Sequence, residues 1–351
     1  MGFPSLEELS GWIGLSDTEA VRALHARAYA EKTAVIGRRV SMRGLIEAGN
    51  VCAKDCRYCG IRASNRNLTR YQLTQEEIVA GARFAAESGY GSVVIQSGEI
   101  ESEAHTRFIE EVLRAIAPLK LGVTLSLGEQ TEEVYRRWRD AGATRYLLRI
   151  ETSNPALYAA LHPANCSFER RVECLRALRR CGYQVGTGVM VGLPFQTLDH
   201  LVHDLLFFQE KDVAMVGLGP FLPHPDTPLW AFREQIPSPE ERMRLTLNMI
   251  STLRLMMPEI NMVAATATQT LDPQGREKAI EAGANVIMPN LTPQQYREEY
   301  LIYPDKACVG DRPEQCRGCL ELRMKSIGHE ILYNAWGDSV AFTKRAVRQD
   351  A

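Results

Sequence analysis

No stretch of this 351-residue chain holds 18 consecutive apolar residues, so no segment is expected to span a membrane. The first twenty residues have no basic stretch leading into an apolar run, and no export signal is expected. Neither sign of charge is in excess: Lys plus Arg number 41 against 43 for Asp plus Glu, a formal net charge of −2. That balance leaves no electrostatic footprint for nucleic acid, and the one dense basic run, Arg136, Arg137 and Arg139, reads as a solvated helix face. Short-period repeats and low-complexity tracts are lacking too, which excludes a solenoid or a disordered tail. The rest is ordinary globular composition, 45% hydrophobic and 24% charged. The length suits two domains, or one α/β barrel with extensions.

Nine cysteines, an odd number without an export signal, argue against a disulfide framework and for a reducing cytoplasm that keeps thiolates for metal. Six fall into two triplets, Cys52, Cys56 and Cys59 near one end and Cys308, Cys316 and Cys319 near the other. Cys174 and Cys181 are seven apart on one helix face, the period of a buried stripe, and Cys166 is a poor ligand candidate.

From about residue 40 to 290, apolar runs of strand length alternate with amphipathic helical patterns. The runs are 41–48, 92–96, 123–127, 145–150, 184–191, 214–217, 262–267 and 285–288, with helices expected over 75–88, 104–117, 132–141, 168–181, 198–211, 239–257 and 275–282. Eight strands alternating with helices over some 250 residues have the rhythm of a (β/α)8 TIM-type barrel, with a doubly wound sheet as the other solution. In either, functional residues belong at the C-terminal ends of strands. Residues 1–39 read as an N-terminal helical cap, opening on a capped turn at Ser5, and residues 291–351 as a C-terminal extension carrying the second triplet.

Directly after the first strand, Cys52, Cys56 and Cys59 form C-x3-C-x2-C. Three thiolates on one loop can hold three irons of a [4Fe–4S] cubane and leave the fourth iron open to another ligand. Zinc is the competing reading, but a structural zinc site wants a fourth ligand and paired C-x2-C spacings.

The triplet, with Tyr58 before its last cysteine, resembles that of the radical S-adenosylmethionine superfamily. The segments Gln96-Ser97-Gly98-Glu99, Ser126-Leu127-Gly128-Glu129, Arg145 to Arg149, Gly192-Leu193-Pro194 and Pro220 to Pro228 extend the resemblance to the HydE type of [FeFe]-hydrogenase maturase, from about residue 40 to 325. The resemblance implies an enzyme that reductively cleaves S-adenosylmethionine to a 5′-deoxyadenosyl radical acting on a small sulfur-containing substrate during H-cluster assembly. It implies that Gly98 and Glu99 receive the methionine amino group, Arg171 its carboxylate, and Glu151 with Ser126 the ribose, with Tyr58 beside the cluster. Gln96, Thr124, Arg149, Thr266 and Tyr300 correspond to substrate residues, Arg149 and Tyr300 being the catalytic candidates. An electron donor such as ferredoxin or flavodoxin, and other maturases, are the partners implied. Some relatives carry an auxiliary iron–sulfur cluster at the spacing of Cys308, Cys316 and Cys319.

The residues leave several alternatives open. Arg149 and Glu151, two apart on one strand, should face the same side, and a buried arginine there needs either a substrate carboxylate or a neighbouring acid. Tyr300 either donates a proton or hydrogen atom or simply packs. The second triplet holds a cluster, or zinc completed by another ligand, or nothing. Three departures, Ile150 for His, Ile100 for Asp and Ala265 for Thr, lie near the substrate end. They keep open a paralogue working on another thiol or amino acid. A non-catalytic iron–sulfur carrier is the reading from a different class.

Overall fold

The computed structural model describes residues 4–349. Eight parallel strands, β1 (Arg39–Gly49), β2 (Ser92–Ser97), β3 (Gly122–Ser126), β4 (Arg145–Leu147), β5 (Gln184–Val191), β6 (Met215–Pro220), β7 (Asn261–Ala264) and β8 (Val286–Ile287), stand side by side in chain order. β1 pairs with both β2 and β8, which closes the sheet into the (β/α)8 barrel. Helices cover the outer face, so the strands are buried on both sides and read as continuous apolar runs. The crossovers up to β7 each include a helix that begins at a residue suited to it, whereas the two helices between β7 and β8 have no side-chain cap. Thr74, Ser102, Thr131, Ser167, Thr197 and Ser238 all accept a backbone N–H from three residues on, satisfying a donor the helix itself leaves open.

Three strands differ from expectation at the mouth of the barrel, and one of them, β6, runs on to Pro220 where an end at 217 was expected. β4 stops at Leu147, not at 150: the Ile150 N–H turns to the Thr187 hydroxyl (3.1 Å), and Glu151 takes φ 63 in an isolated bridge to Val189. β7 ends at Ala264, and Thr266 opens a short helix, Thr266–Leu271.

The ends of the chain brace the barrel. The helices Leu6–Gly14 and Thr18–Val35 lie against the outer helix Pro239–Met256, where Asn248 donates to Ile13 O and Leu15 O (3.0 Å each) and meets His25 at 3.0 Å. A ninth strand, β9 (Glu330–Leu332), pairs parallel to the first residues of β1. Residues 336–339 then cross the N-terminal end of the barrel. There Asp338 accepts from Arg145 and from Gln184 (2.6 Å), while Gly337 O accepts from Arg43 (3.0 Å) and Asn261 (2.9 Å). That end is thus plugged. Among the described residues no helix is long and apolar enough to cross a membrane.

Candidate active site

At the opposite end the strand termini ring a cavity of about 360 Å³, and Cys52, Cys56 and Cys59 form one of its walls with Tyr58. The loop carrying them is held by its own backbone carbonyls. The Arg70 guanidinium collects Asn50 O (2.6 Å), Ile61 O (2.8 Å) and Arg62 O (2.5 Å), and the buried Asn50 side chain bonds Thr69 O, Glu299 O and Tyr71 N. Glu99 N–H donates to Cys52 Sγ at 3.3 Å, tying the loop to the end of β2. Gly98 makes this approach possible, since a Cβ there would sit 2.2 Å from Val51 O. Burial pushes all three thiols up, Cys59 to about 12, and the charge of neighbouring cysteines adds to it at Cys56 and Cys59. Three crowded thiols on one cavity wall, with backbone close behind them, fit the cationic irons of a cluster.

Beside the thiols lies a network of paired charges. Arg149 grips Glu151 with two bonds (2.8 and 2.9 Å) and gives a third to Gly217 O (2.8 Å). The anion that Arg149 needed is therefore the neighbouring acid. Arg171 is buried, donates to Glu129 (2.5 Å) and to Arg149 O (2.6 Å), and lines the cavity. Glu129, wholly buried, also meets Arg170 (3.1 Å) and Lys54 (3.9 Å), and Lys54 pairs with Glu99 at 3.0 Å. Burial raises the Glu99 carboxyl, and the neighbouring cations hold it back. Lys54 and Glu129 were not singled out from the sequence, although one lies inside the first triplet and the other inside a quoted motif. Cys166 also comes near, close enough for its charge to act on Lys54 and Cys56.

Across the cavity, Gln96 donates to the Tyr300 hydroxyl (3.1 Å), and Arg276 donates to the Thr266 hydroxyl (3.0 Å). Ser126 lines the cavity; Thr124, two residues earlier on β3, is fully buried and does not. Lys306 reaches from the C-terminal extension to a buried ion pair with Glu47, which Asn290 also bonds at 2.9 Å. His224 packs its ring on Gly60, where a Cβ would meet it at 2.7 Å, so this histidine belongs to the wall of the cluster loop.

The second triplet lies outside this cavity. Cys316 and Cys319 sit one turn apart on the helix Pro313–Ser326, the first buried and the second exposed. Cys308 stands on the preceding loop at φ 66, and its thiol shares a hydrogen bond with Cys316 that lowers the one and raises the other.

A closed parallel barrel with a three-cysteine loop behind its first strand, opening on a cavity lined with paired charges, defines a radical S-adenosylmethionine enzyme. The model of the Radical SAM superfamily matches residues 46–208. The [FeFe] hydrogenase maturase subunit HydE of Thermotoga maritima is 44% identical over 326 residues, spanning 92% of this chain and 91% of that protein. The crystal structure of methylornithine synthase (PylB) superposes with a TM-score of 0.80 at 24% identity, covering 94% of each chain. The X-ray structure of the maturase HydG from Carboxydothermus hydrogenoformans gives 0.78 at 20% identity, covering 94% of this chain and 76% of that one, and both likenesses show the fold. The chain belongs to the HydE family of the radical S-adenosylmethionine superfamily. Its cofactors are accordingly a [4Fe–4S] cluster and S-adenosylmethionine, its substrate a small molecule, and its reaction needs a reductant.

Proposed function

We propose that this enzyme directs the 5′-deoxyadenosyl radical at a small sulfur-containing, amino-acid-like substrate inside the barrel, as a step in building the H-cluster of [FeFe]-hydrogenase. The observation that carries the reading is the single cavity shared by the three-thiol wall and the polar cluster of Gln96, Tyr300 and Thr266. The 44% identity to a hydrogenase maturase supports its place in that assembly.

In this reading Cys52, Cys56 and Cys59 would hold three irons of a [4Fe–4S] cluster, which when bound would supply the electron for reductive cleavage of S-adenosylmethionine. The Gly98 carbonyl and Glu99 receive the methionine amino group, and Arg171, kept in place by Glu129, receives its carboxylate. Glu151 and Ser126 take the ribose hydroxyls, which requires Glu151 to share its oxygens with Arg149. Tyr58 shields the cluster. Gln96, Thr266 and Tyr300 orient the substrate, Arg149 acts on it through its pair with Glu151, and Thr124 supports this wall from below. Leu147, Val263, Phe221 and Met288 line the remaining surface and keep water from a carbon radical that would attack any loose group. Cys308, Cys316 and Cys319 hold an auxiliary iron–sulfur cluster apart from the radical chemistry. The electron comes from a ferredoxin or flavodoxin, and the product passes to the other maturases.

The test is anaerobic reconstitution with iron and sulfide, reduction by dithionite, and quantification of 5′-deoxyadenosine. A parallel maturation of apo-[FeFe]-hydrogenase follows hydrogen evolution with and without this protein. Product formation and dependence of hydrogen evolution on the protein are expected. Product formation without any contribution to the hydrogenase would move the substrate to another thiol or amino acid.

A further inference from the structure

The outer surface beside the cluster loop carries aromatic side chains that no other described residue covers. Phe195, Trp230 and Phe232 are 45%, 37% and 38% exposed. The rings of Phe195 and Phe232 meet edge to face with centroids 4.9 Å apart, and Trp230 stands two residues before Phe232 on the short 3-10 helix Pro228–Gln235. Phe195 sits at φ 67, a conformation costly for a bulky side chain. A turn alone would be better served by glycine or asparagine. Contiguous exposed aromatics of this kind mark interaction surfaces.

The patch is coupled to the cysteines by its underside. Leu229, from the same 3-10 helix, is buried with Leu161, Leu193 and Phe221, and Tyr58 packs on that cluster. Leu229 N–H donates to Arg57 O at 3.1 Å, and Arg57 and Tyr58 stand between Cys56 and Cys59. One hydrogen bond and one layer of side chains thus separate the patch from the cluster ligands. The rim is cationic. Arg57 is exposed, as is Arg66, which precedes Asn67; the Asn67 amide reaches Asp226 (3.0 Å) just before the 3-10 helix. Arg233 lies over Trp230 at 5.5 Å and shares Glu234 at 3.4 Å. Arg233 is thus paired, whereas Arg57 and Arg66 meet no carboxylate within 4.0 Å among the described residues.

We propose that the patch of Phe195, Trp230 and Phe232, rimmed by Arg57, Arg66 and Arg233, docks an acidic one-electron carrier protein that reduces the cluster. The proposal rests on the reductive-cleavage reading. The reduced carrier loses one electron and the [4Fe–4S] cluster gains it, with no proton or group transferred. The aromatic centre supplies contact area, and the arginine rim steers an acidic partner to the shortest route into the cysteine loop.

The test uses the reconstituted holoenzyme and an acidic flavodoxin as probe. Calorimetry reads the affinity for oxidised flavodoxin, and 5′-deoxyadenosine is measured with flavodoxin hydroquinone and, separately, with dithionite. Trp230→Ser combined with Phe232→Ser is expected to weaken binding by about tenfold or more, as loss of aromatic anchors does. Arg66→Glu should weaken it less and flatten its salt dependence. Both should cut flavodoxin-driven turnover and leave dithionite-driven turnover and the melting temperature unchanged. Unchanged affinity and unchanged flavodoxin-driven turnover in both variants would overturn the proposal. A change in oligomeric state on sedimentation, with flavodoxin binding intact, would overturn it in favour of self-association. Absence of dithionite-driven product in the unmodified enzyme would instead strike the proposed function, while the affinities would still read the docking surface.

Discussion

Both cysteine triplets end in C-x2-C, yet the fold treats them differently. Cys52, Cys56 and Cys59 sit on a loop whose carbonyls Arg70 gathers, and Cys52 receives an N–H from the end of β2. They face a cavity flanked by the Arg149–Glu151 and Arg171–Glu129 pairs. Cys308, Cys316 and Cys319 lie on a surface loop and helix, one of them exposed, and no cavity of that kind adjoins them among the described residues. Spacing shows where a metal can be held. The charges and walls around the thiols decide whether chemistry can be done there.

The largest effect expected is from Cys56→Ala, which should lower 5′-deoxyadenosine formation on the order of 1,000-fold and lower bound iron with it, read by product and iron assays. Cys319→Ala should leave product formation within about threefold; a comparable loss there would erase the contrast between the triplets. Glu129→Gln removes the one carboxylate within 4.0 Å of buried Arg171 among the described residues, and should cost about 3–5 kcal/mol in denaturant unfolding while weakening S-adenosylmethionine binding. Gly98→Ala puts a methyl group against Val51 O and should cost about 1–3 kcal/mol in the same assay, with displaced cysteines visible as a lower cluster yield.

A dependence on pH is expected from the support beneath Glu151. Asp204, fully buried, accepts Ser153 N–H (2.6 Å) and O–H (2.7 Å), and burial raises its carboxyl to about 7 despite those bonds. The folded chain then keeps a proton that the unfolded chain releases near pH about 4, so this group's contribution to stability falls as pH rises from about 4 to about 7. Asp204→Asn should remove that slope, measured as denaturant midpoints across the range. A slope unchanged by the substitution would assign the pH dependence elsewhere.

The barrel was legible because strand-length apolar runs and well-capped helices alternate over eight strands, and local capping chemistry agrees with the global fold. Thr74 and Ser238 announce their helices several residues before any packing is known. The mouth was harder to read. Residues 148–151 look like strand because Leu148 and Ile150 are apolar, and they still bond to β5, but the Thr187 hydroxyl takes the Ile150 N–H and the left-handed Glu151 leaves only an isolated bridge to Val189. Ala265 and Thr266 continue an apolar run, and only tertiary context turns them into a helix start. β9 is three residues long, too short to signal itself. At the site, Cys52, Cys56 and Cys59 were visible from spacing; Arg149 and Glu151 do meet, but beyond the end of β4 and with Glu151 left-handed, so strand alternation is not the reason. Lys54 and Glu129 were not visible, because a buried ion pair between distant segments leaves no periodic trace.

The central claim is that S-adenosylmethionine meets the cluster of the first triplet and needs nothing from the second. The most direct measurement is the electron paramagnetic resonance spectrum of the reduced, reconstituted Cys308→Ala/Cys316→Ala/Cys319→Ala variant with and without S-adenosylmethionine. The account predicts a single cluster signal whose g values shift on addition, accompanied by 5′-deoxyadenosine. A full cluster signal that S-adenosylmethionine leaves unmoved, with no product formed, would contradict it.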